Sequence, residues 1–277
     1  STLFKILTKN EVNIANYPFC TIDPNVGIVS VPDERLDKLA AMSKSKKIIP
    51  AIVEFYDIAG LVKGASTGEG LGNQFLSHIK ETDAVVMVLR VFHNDEIIHV
   101  ENSIDPLRDL DIINTALALK DLDSIDKALK RLEGEARSAS SGQANAKEAA
   151  KALEGLKILR PILETGKPIN DLVYALILEN KSIREMSLLM GKKQVYLLNG
   201  KPEDVSDELK KKIAELGAAY VVADLSTAQE IPELVKKAYE ILDLISFFTT
   251  GEDETRAWTI KRGFKAPQAA GAIHTDF

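Results

Sequence analysis

The sequence predicts an α/β fold, in which strands and helices alternate around a mostly parallel sheet and a pair of long helices is inserted. Three observations carry that prediction. Near-continuous apolar, β-rich runs recur at Ala84 to Phe92, Gln194 to Leu198 and Ala219 to Leu225, as suits strands buried on both faces. The two later runs are each followed by a polar loop and a helical stretch, the alternation that lays helices over a parallel sheet. Between about Pro106 and Leu163 the pattern changes to Leu, Ala, Lys, Asp and Glu at helical spacing.

Taken in order, the chain opens on STLFKILTKN, a helix entered at Ser1 with Leu3, Phe4, Ile6 and Leu7 on its apolar face. VGIVSV (Val26 to Val31) and AIVEFYDIAG (Ala51 to Gly60) read as strands. In the helical region Leu117, Leu122, Ile125, Leu129 and Leu132 form one stripe, and Ala149, Leu153, Leu156 and Leu163 form another. The turn-like ARSASSGQANA (Ala136 to Ala146) between them predicts an antiparallel hairpin. A helix-rich stretch from Asp171 to Met190 leads back to the sheet, and a last helix spans Ile231 to Leu244. Composition then shifts: Arg256 to Lys261 alternates like a strand, and the final thirty or so residues are too few for an independent domain.

At 277 residues the chain suits two or three packed units, and no apolar run approaches the roughly 18–20 residues needed to span a bilayer. The single cysteine, Cys20, allows no internal disulfide and no thiolate zinc cluster. Nothing at the start reads as a signal peptide, so a reducing, cytoplasmic setting is expected. The 35 basic and 41 acidic residues leave a net charge of −6, against a protein that coats nucleic acid nonspecifically. Three small basic patches (Lys44, Lys46 and Lys47; Lys210 to Lys212; Lys261, Arg262 and Lys265) read as solvated surface, with a nucleic-acid or ribosome contact as the alternative for each.

A P-loop, GxxxxGK[ST], cradles phosphates on backbone N–H groups and ends in a hydroxyl that binds Mg²⁺. Ser1 fits that final hydroxyl, and fits a plain helix N-cap equally in kind. Thr21, twenty residues on in a polar loop, stands where a switch threonine would complete the Mg²⁺ shell. Asp57 to Gly60, DIAG, follows an apolar strand as a Walker B or DxxG element does, and Gly64, Gly68, Gly70 and Gly72 follow it directly. The alternative for these glycines is a surface loop without a ligand.

NYPFCTIDPNVG (Asn16 to Gly27), EFYDIAGLVKGASTGEGLGNQFL (Glu54 to Leu76), NDEIIHV (Asn94 to Val100) and RAWTI with KAPQAAGAIHTDF at the end closely resemble motifs of the Obg-like ATPase (YchF) family, of the TRAFAC class of P-loop nucleotide hydrolases. The resemblance implies a Ras-like P-loop NTPase domain in two parts, residues 1–105 and 166–245, a coiled-coil insertion at 106–165, and the start of a β-grasp (TGS) domain at 246–277. It also implies a chain truncated at both ends, without the first strand and most of the Walker A motif, that folds marginally and binds ATP poorly by itself. By the same resemblance Ser1 and Thr21 are Mg²⁺ ligands, Ser1 and Thr2 close the P-loop on the phosphates, and Asp57 with Gly60 forms switch II.

Leu61 follows DIAG where Ras-type enzymes place a water-orienting glutamine, and leucine cannot orient water. The resemblance points to His99 as the catalytic group, against the plainer reading of a polar residue at the end of an apolar segment. Guanine recognition needs NKxD, but Asn199, Gly200, Lys201 and Pro202 put proline at the carboxylate position and leave Asp204 two residues out of register. Adenine is therefore expected, although the family usually carries an acidic residue where Pro202 stands. Ser226 is the candidate base contact in the loop after the last strand. The expected activity is slow Mg²⁺-dependent hydrolysis of ATP to ADP and phosphate, with the ribosome (large subunit or 70S) as partner by resemblance, and neither membrane binding nor reading of DNA sequence. A GTPase of the same fold and a non-catalytic nucleotide-regulated adaptor are the alternatives.

Overall fold

The computed structural model describes residues 1–9, 25–58, 71–94, 103–138, 144–169, 173, 175 and 179–274. Helix α1 (Thr2–Leu7) is capped by Ser1, whose Oγ accepts the Phe4 N–H at 3.2 Å. Strand β1 (Val26–Ser30) runs antiparallel to β3 (Ile52–Tyr56). Between them lie α2 (Glu34–Ser43), capped by Asp33, and the short β2 (Lys47–Ile49). Helix α3 (Leu71–Glu81) leads into β4 (Ala84–Arg90).

The three long apolar runs form one parallel sheet in the order β4, β5 (Lys193–Asn199), β6 (Ala219–Ala223). Strand β5 is its middle, and successive side chains alternate between faces as the pleat requires. Tyr196 and Leu198 enter a core shared with α3, α4 (Pro106–Ser138) and α5 (Ala144–Leu163). Val195 and Leu197 enter a second core with α1, α2 and α8. Here α6 is Lys181–Arg184, α7 is Asp207–Glu215 and α8 is Pro232–Ile241.

The two helical stripes pack as their spacing predicts. Leu117, Ile125, Leu132, Ala149, Leu156 and Leu163 are buried, and Leu122, Leu129 and Leu153 pack against them. Arg160 on α5 donates from Nε to Asp126 Oδ1 on α4 at 3.0 Å. Both helices run further into the Ala136 to Ala146 segment than its turn-like composition suggests.

Two expectations change. The sheets are mixed rather than mostly parallel, because β1 and β3 pair antiparallel, as do β7 (Leu244–Thr250) and β8 (Glu254–Lys261). The last long helix ends at Ile241 rather than Leu244, and the boundary expected at 246 falls inside β7. The chain reverses at Asp243, in the left-handed region at φ 53°, a turn made without the glycine or proline that would announce it. Strand β2 pairs parallel with β8, and Lys46 and Lys47 beside that junction are exposed, as read, with Lys46 Nζ 3.1 Å from the exposed Asp253. The short helix α9 (Ala266–Ala270) follows β8. Among the described residues no helix is long and apolar enough to cross a membrane.

Candidate functional site

The carboxyl ends of β3, β4, β5 and β6 open on a single cleft of about 1630 Å³. Open α/β sheets bind ligands at this end, where loops rather than ladders set the chemistry. At one side Asp57 leaves β3, its N–H held by the Asn25 carbonyl at 2.9 Å. Its Oδ2 lies 2.6 Å from the Ser1 nitrogen. Ser1 and Asp57, 56 residues apart in sequence, thus stand side by side.

At the other side Asn199 ties three strand ends together. Its carbonyl accepts the Val91 N–H at 3.0 Å, and its Oδ1 accepts the Leu225 N–H at 3.0 Å. Gly200 follows at φ 156°, with its N–H on the Ala223 carbonyl. A Cβ at Gly200 would stand 2.6 Å from Val91 Cγ2 and 3.2 Å from the Phe92 nitrogen, so this close approach requires glycine. Asp204 turns back on its own 3-10 turn, Pro202–Asp204, where its Oδ2 accepts the Lys201 N–H at 2.9 Å. The carboxylate that is out of register in sequence is thus committed to a cap.

Ser226 also lines the cleft, but its hydroxyl and N–H donate to Asp224 Oδ1 at 2.5 and 2.9 Å. Those two bonds, the hydroxyl's first, hold the Asp224 carboxyl below its ordinary range. Of the residues expected at the site, Ser1, Thr2, Asp57, Asn199, Gly200 and Ser226 line this one cleft. Thr21, Gly60 and His99 lie outside the described residues. Asp224 and His93 line the cleft and were not among the expected residues. The position of Asp224 directly after an apolar strand is the signal that could have found it. Next to His93, the Arg90 guanidinium lies 4.5 Å from the Phe92 ring centroid and donates to the Asn94 carbonyl at 2.7 Å.

The donors at Ser1 and Asp57 fit Mg²⁺. That ion prefers hard oxygen ligands and is held by one or two protein groups, with water and substrate phosphates completing the octahedron. Among the described residues no three His, Cys, Asp or Glu side chains gather into a closed cage.

Comparison with known proteins agrees with this architecture. A family model described as a 50S ribosome-binding GTPase matches residues 1–125, and a model for the C-terminal part of YchF GTPases, described as a protein of unknown function, matches residues 244–277. The ribosome-binding ATPase YchF of Bacillus subtilis is 39% identical over 307 aligned residues, covering 100% of this chain and 82% of the relative. That of Escherichia coli O157:H7 is 41% identical with the same coverage, and the Obg-like ATPase 1 of Schizosaccharomyces pombe is 40% identical, with 78% of its length covered. The solved structure of the Schizosaccharomyces pombe YchF GTPase superposes with a TM-score of 0.80 at 38% identity, covering 99% of this chain and 81% of that one. Identity at this level along the whole chain, on a shared fold whose strand ends converge on one cleft, means that the chain belongs to the YchF and Obg-like ATPase family.

Proposed function

We propose that the protein binds ATP with Mg²⁺ in this cleft, hydrolyses it slowly to ADP and phosphate, and acts as a switch that engages the ribosome. The observation that carries the proposal is the convergence of Ser1 beside Asp57 with Asn199, Gly200 and the Asp224 to Ser226 turn in one cleft at the strand ends. Ser1 and Thr21 would hold the metal directly and Asp57 through water, while Thr2 closes on the phosphates and Gly60 meets the terminal phosphate. When bound, Mg²⁺ would supply the positive charge that offsets charge developing on the phosphates. His99 would place the attacking water, because Leu61 cannot. Asn199 braces the base end, and with Asp204 spent on the Lys201 N–H, no carboxylate stands at the NKxD position to pair with guanine. Residues 106–165 form the inserted coiled coil and 246–277 the start of a TGS unit in this proposal, both surfaces for a partner in the cytoplasm. The relatives' names support the ribosome as that partner.

GxxxxGK does not occur in residues 1–277, so these residues by themselves should bind ATP weakly. Calorimetry on the chain extended ahead of Ser1 by a strand and GxxxxGK is expected to show Mg²⁺-dependent ATP binding that exceeds GTP binding and falls at least about tenfold in Asp57→Ala. Co-sedimentation with 70S particles tests the partner. The second reading, a GTPase, is favoured by Asp224, a carboxylate at the base end that sequence reading missed. A clear GTP preference lost in Asp224→Ala would replace ATP with GTP.

A further inference from the structure

The turn after β6 is built around one carboxylate. Asp224 Oδ1 takes both the Ser226 N–H and the Ser226 hydroxyl, while the Asp224 main-chain carbonyl takes the Thr227 and Ala228 N–H groups at 3.2 and 2.9 Å. These bonds fix the side chain in place. The turn is also fastened to β5, because Leu225, the next residue, donates its N–H to Asn199 Oδ1. Asp224, Asn199 and Lys201 line the cleft together. Held below its ordinary range, first by Ser226, the Asp224 carboxyl is ionised at neutral pH.

The two oxygens of that carboxylate are not equivalent. Each offers about two acceptor positions, and on Oδ1 the Ser226 N–H and hydroxyl fill them. Among the described residues nothing donates to Oδ2. A ligand at this end of the cleft therefore meets one charged oxygen rather than a pair. Adenine and guanine answer it differently, because adenine carries an amine at the 6-position, which donates, and guanine an oxygen, which accepts. An ionised oxygen attracts the first and repels the second. Guanine's own donors, N1–H and the 2-amine, match both oxygens of a carboxylate, and Asp224 has only one to give. Asp204 has no better claim, since its Oδ2 holds the Lys201 N–H.

We infer that Asp224 sets the choice of base: its Oδ2 accepts the 6-amine of adenine, and Ser226 acts on that choice through Asp224, by filling Oδ1. The inference rests on the nucleotide reading of the cleft and deepens it. A carboxylate with both oxygens open would serve the GTPase reading, and the Ser226 bonds are what turn Asp224 from that role. Asp224 is then the specificity residue and Ser226 a positioning residue.

The test is calorimetry on the chain extended ahead of Ser1 by a strand and GxxxxGK, with ATP, GTP and ITP, which has the 6-oxygen without the 2-amine. The parent is expected to bind ATP at least about tenfold more tightly than ITP, and GTP no better than ITP. In Asp224→Asn the amide carbonyl takes over the Ser226 donors and leaves NH₂ where Oδ2 stood, so preference should reverse toward ITP. Asp224→Ala should abolish the preference. Ser226→Ala opens a position on Oδ1 for a second N–H, so GTP should gain on ATP. Tripolyphosphate with Mg²⁺ carries no base and should bind parent and variants alike, which shows each of them folded. Should Asp224→Ala lose it, Asp224→Asn decides, since it keeps the acceptor of the turn. A ratio of ATP to ITP that is the same in the parent and Asp224→Asn overturns the inference and leaves ATP binding in the cleft standing. An unmoved ratio of ATP to GTP in Ser226→Ala overturns the part played by Ser226. A parent that prefers GTP to ITP, and loses that preference in Asp224→Ala, overturns the assignment in favour of guanine. Binding of none of the three nucleotides removes the nucleotide reading and this inference with it.

Discussion

At the residue scale the most constrained side chain lies outside the cleft. Asp121 of α4 is fully buried and accepts the Leu189 and Met190 N–H groups at 2.9 and 2.8 Å, pinning the 3-10 turn Leu189–Gly191 that feeds β5. Lys192 reinforces the junction by donating to the Lys80 and Thr82 carbonyls. Burial pushes the Asp121 carboxyl up to about 6, against the two N–H donors and the charges of Lys80 and Lys192. A folded value above the unfolded 3.8 means that this group's contribution is fully present below about pH 4 and is lost as pH rises through about 6. Asp121→Asn removes the titration, so its stability relative to the parent should improve by about 3 kcal/mol between acidic and neutral pH, measured by urea unfolding. Asp121→Ala leaves two buried donors without an acceptor and should cost about 1–3 kcal/mol for each. Periodicity places position 121 near the Leu117 and Leu122 stripe, but nothing local distinguishes a carboxylate that caps a distant turn from one that faces water.

At the element scale β5 carries the most weight, since its neighbouring residues belong to different cores. Leu197 and Leu198 are both fully buried, one beside Val221, Leu234 and Val235 in one core and the other with Leu89, Leu159 and Leu209 in the second. Leu197→Ala and Leu198→Ala should each lower the unfolding free energy by about 2–5 kcal/mol in urea titrations, with little relief from collapse in a strand paired on both edges. That β5 is a buried strand was legible, because QVYLL is apolar throughout and rich in β-formers. Strand β7 was not legible. Helical periodicity runs on toward Leu244, and Asp243 turns the chain with no glycine to mark the stop. Strand β2 is three residues long beside three lysines and becomes a strand only because β8 lies alongside it.

At the scale of the whole molecule the last two strands are joined to the α2–β2 segment. Strand β8 pairs with β2, Thr250 donates to the Leu39 carbonyl, and Ser45 Oγ bonds the Gly251 carbonyl at 2.6 Å. Ile49, Leu36 and Ala40 are buried on that side, where α2 and β2 meet the β7–β8 pair. Strands β7 and β8 are thus a packed wall of the fold beside α2 and β2. Their removal strips cover from side chains worth about 1.5–3 kcal/mol each when large and should lower the melting temperature of residues 1–243 by about 10 °C. An unchanged midpoint in scanning calorimetry would mean that the β7–β8 sheet is an independent unit.

The sequence by itself determined what depends on neighbours along the chain: the apolar strand runs, the two helical stripes, the Ser1 cap, the DIAG corner at Asp57 and the motifs that mark the family. Those signals are periodic or contiguous, so they survive without knowledge of what lies opposite. Only the tertiary structure decided which of these pieces meet. It set Ser1 against Asp57, ran the Asn199 side chain to Leu225, brought Asp224 into the cleft and spent Asp204 on Lys201. The physical reason is that each of those contacts is made by hydrogen-bonding groups whose partner is chosen by chain geometry, and a carboxylate or an amide reads the same in sequence whether it caps a turn, braces a base site or faces water.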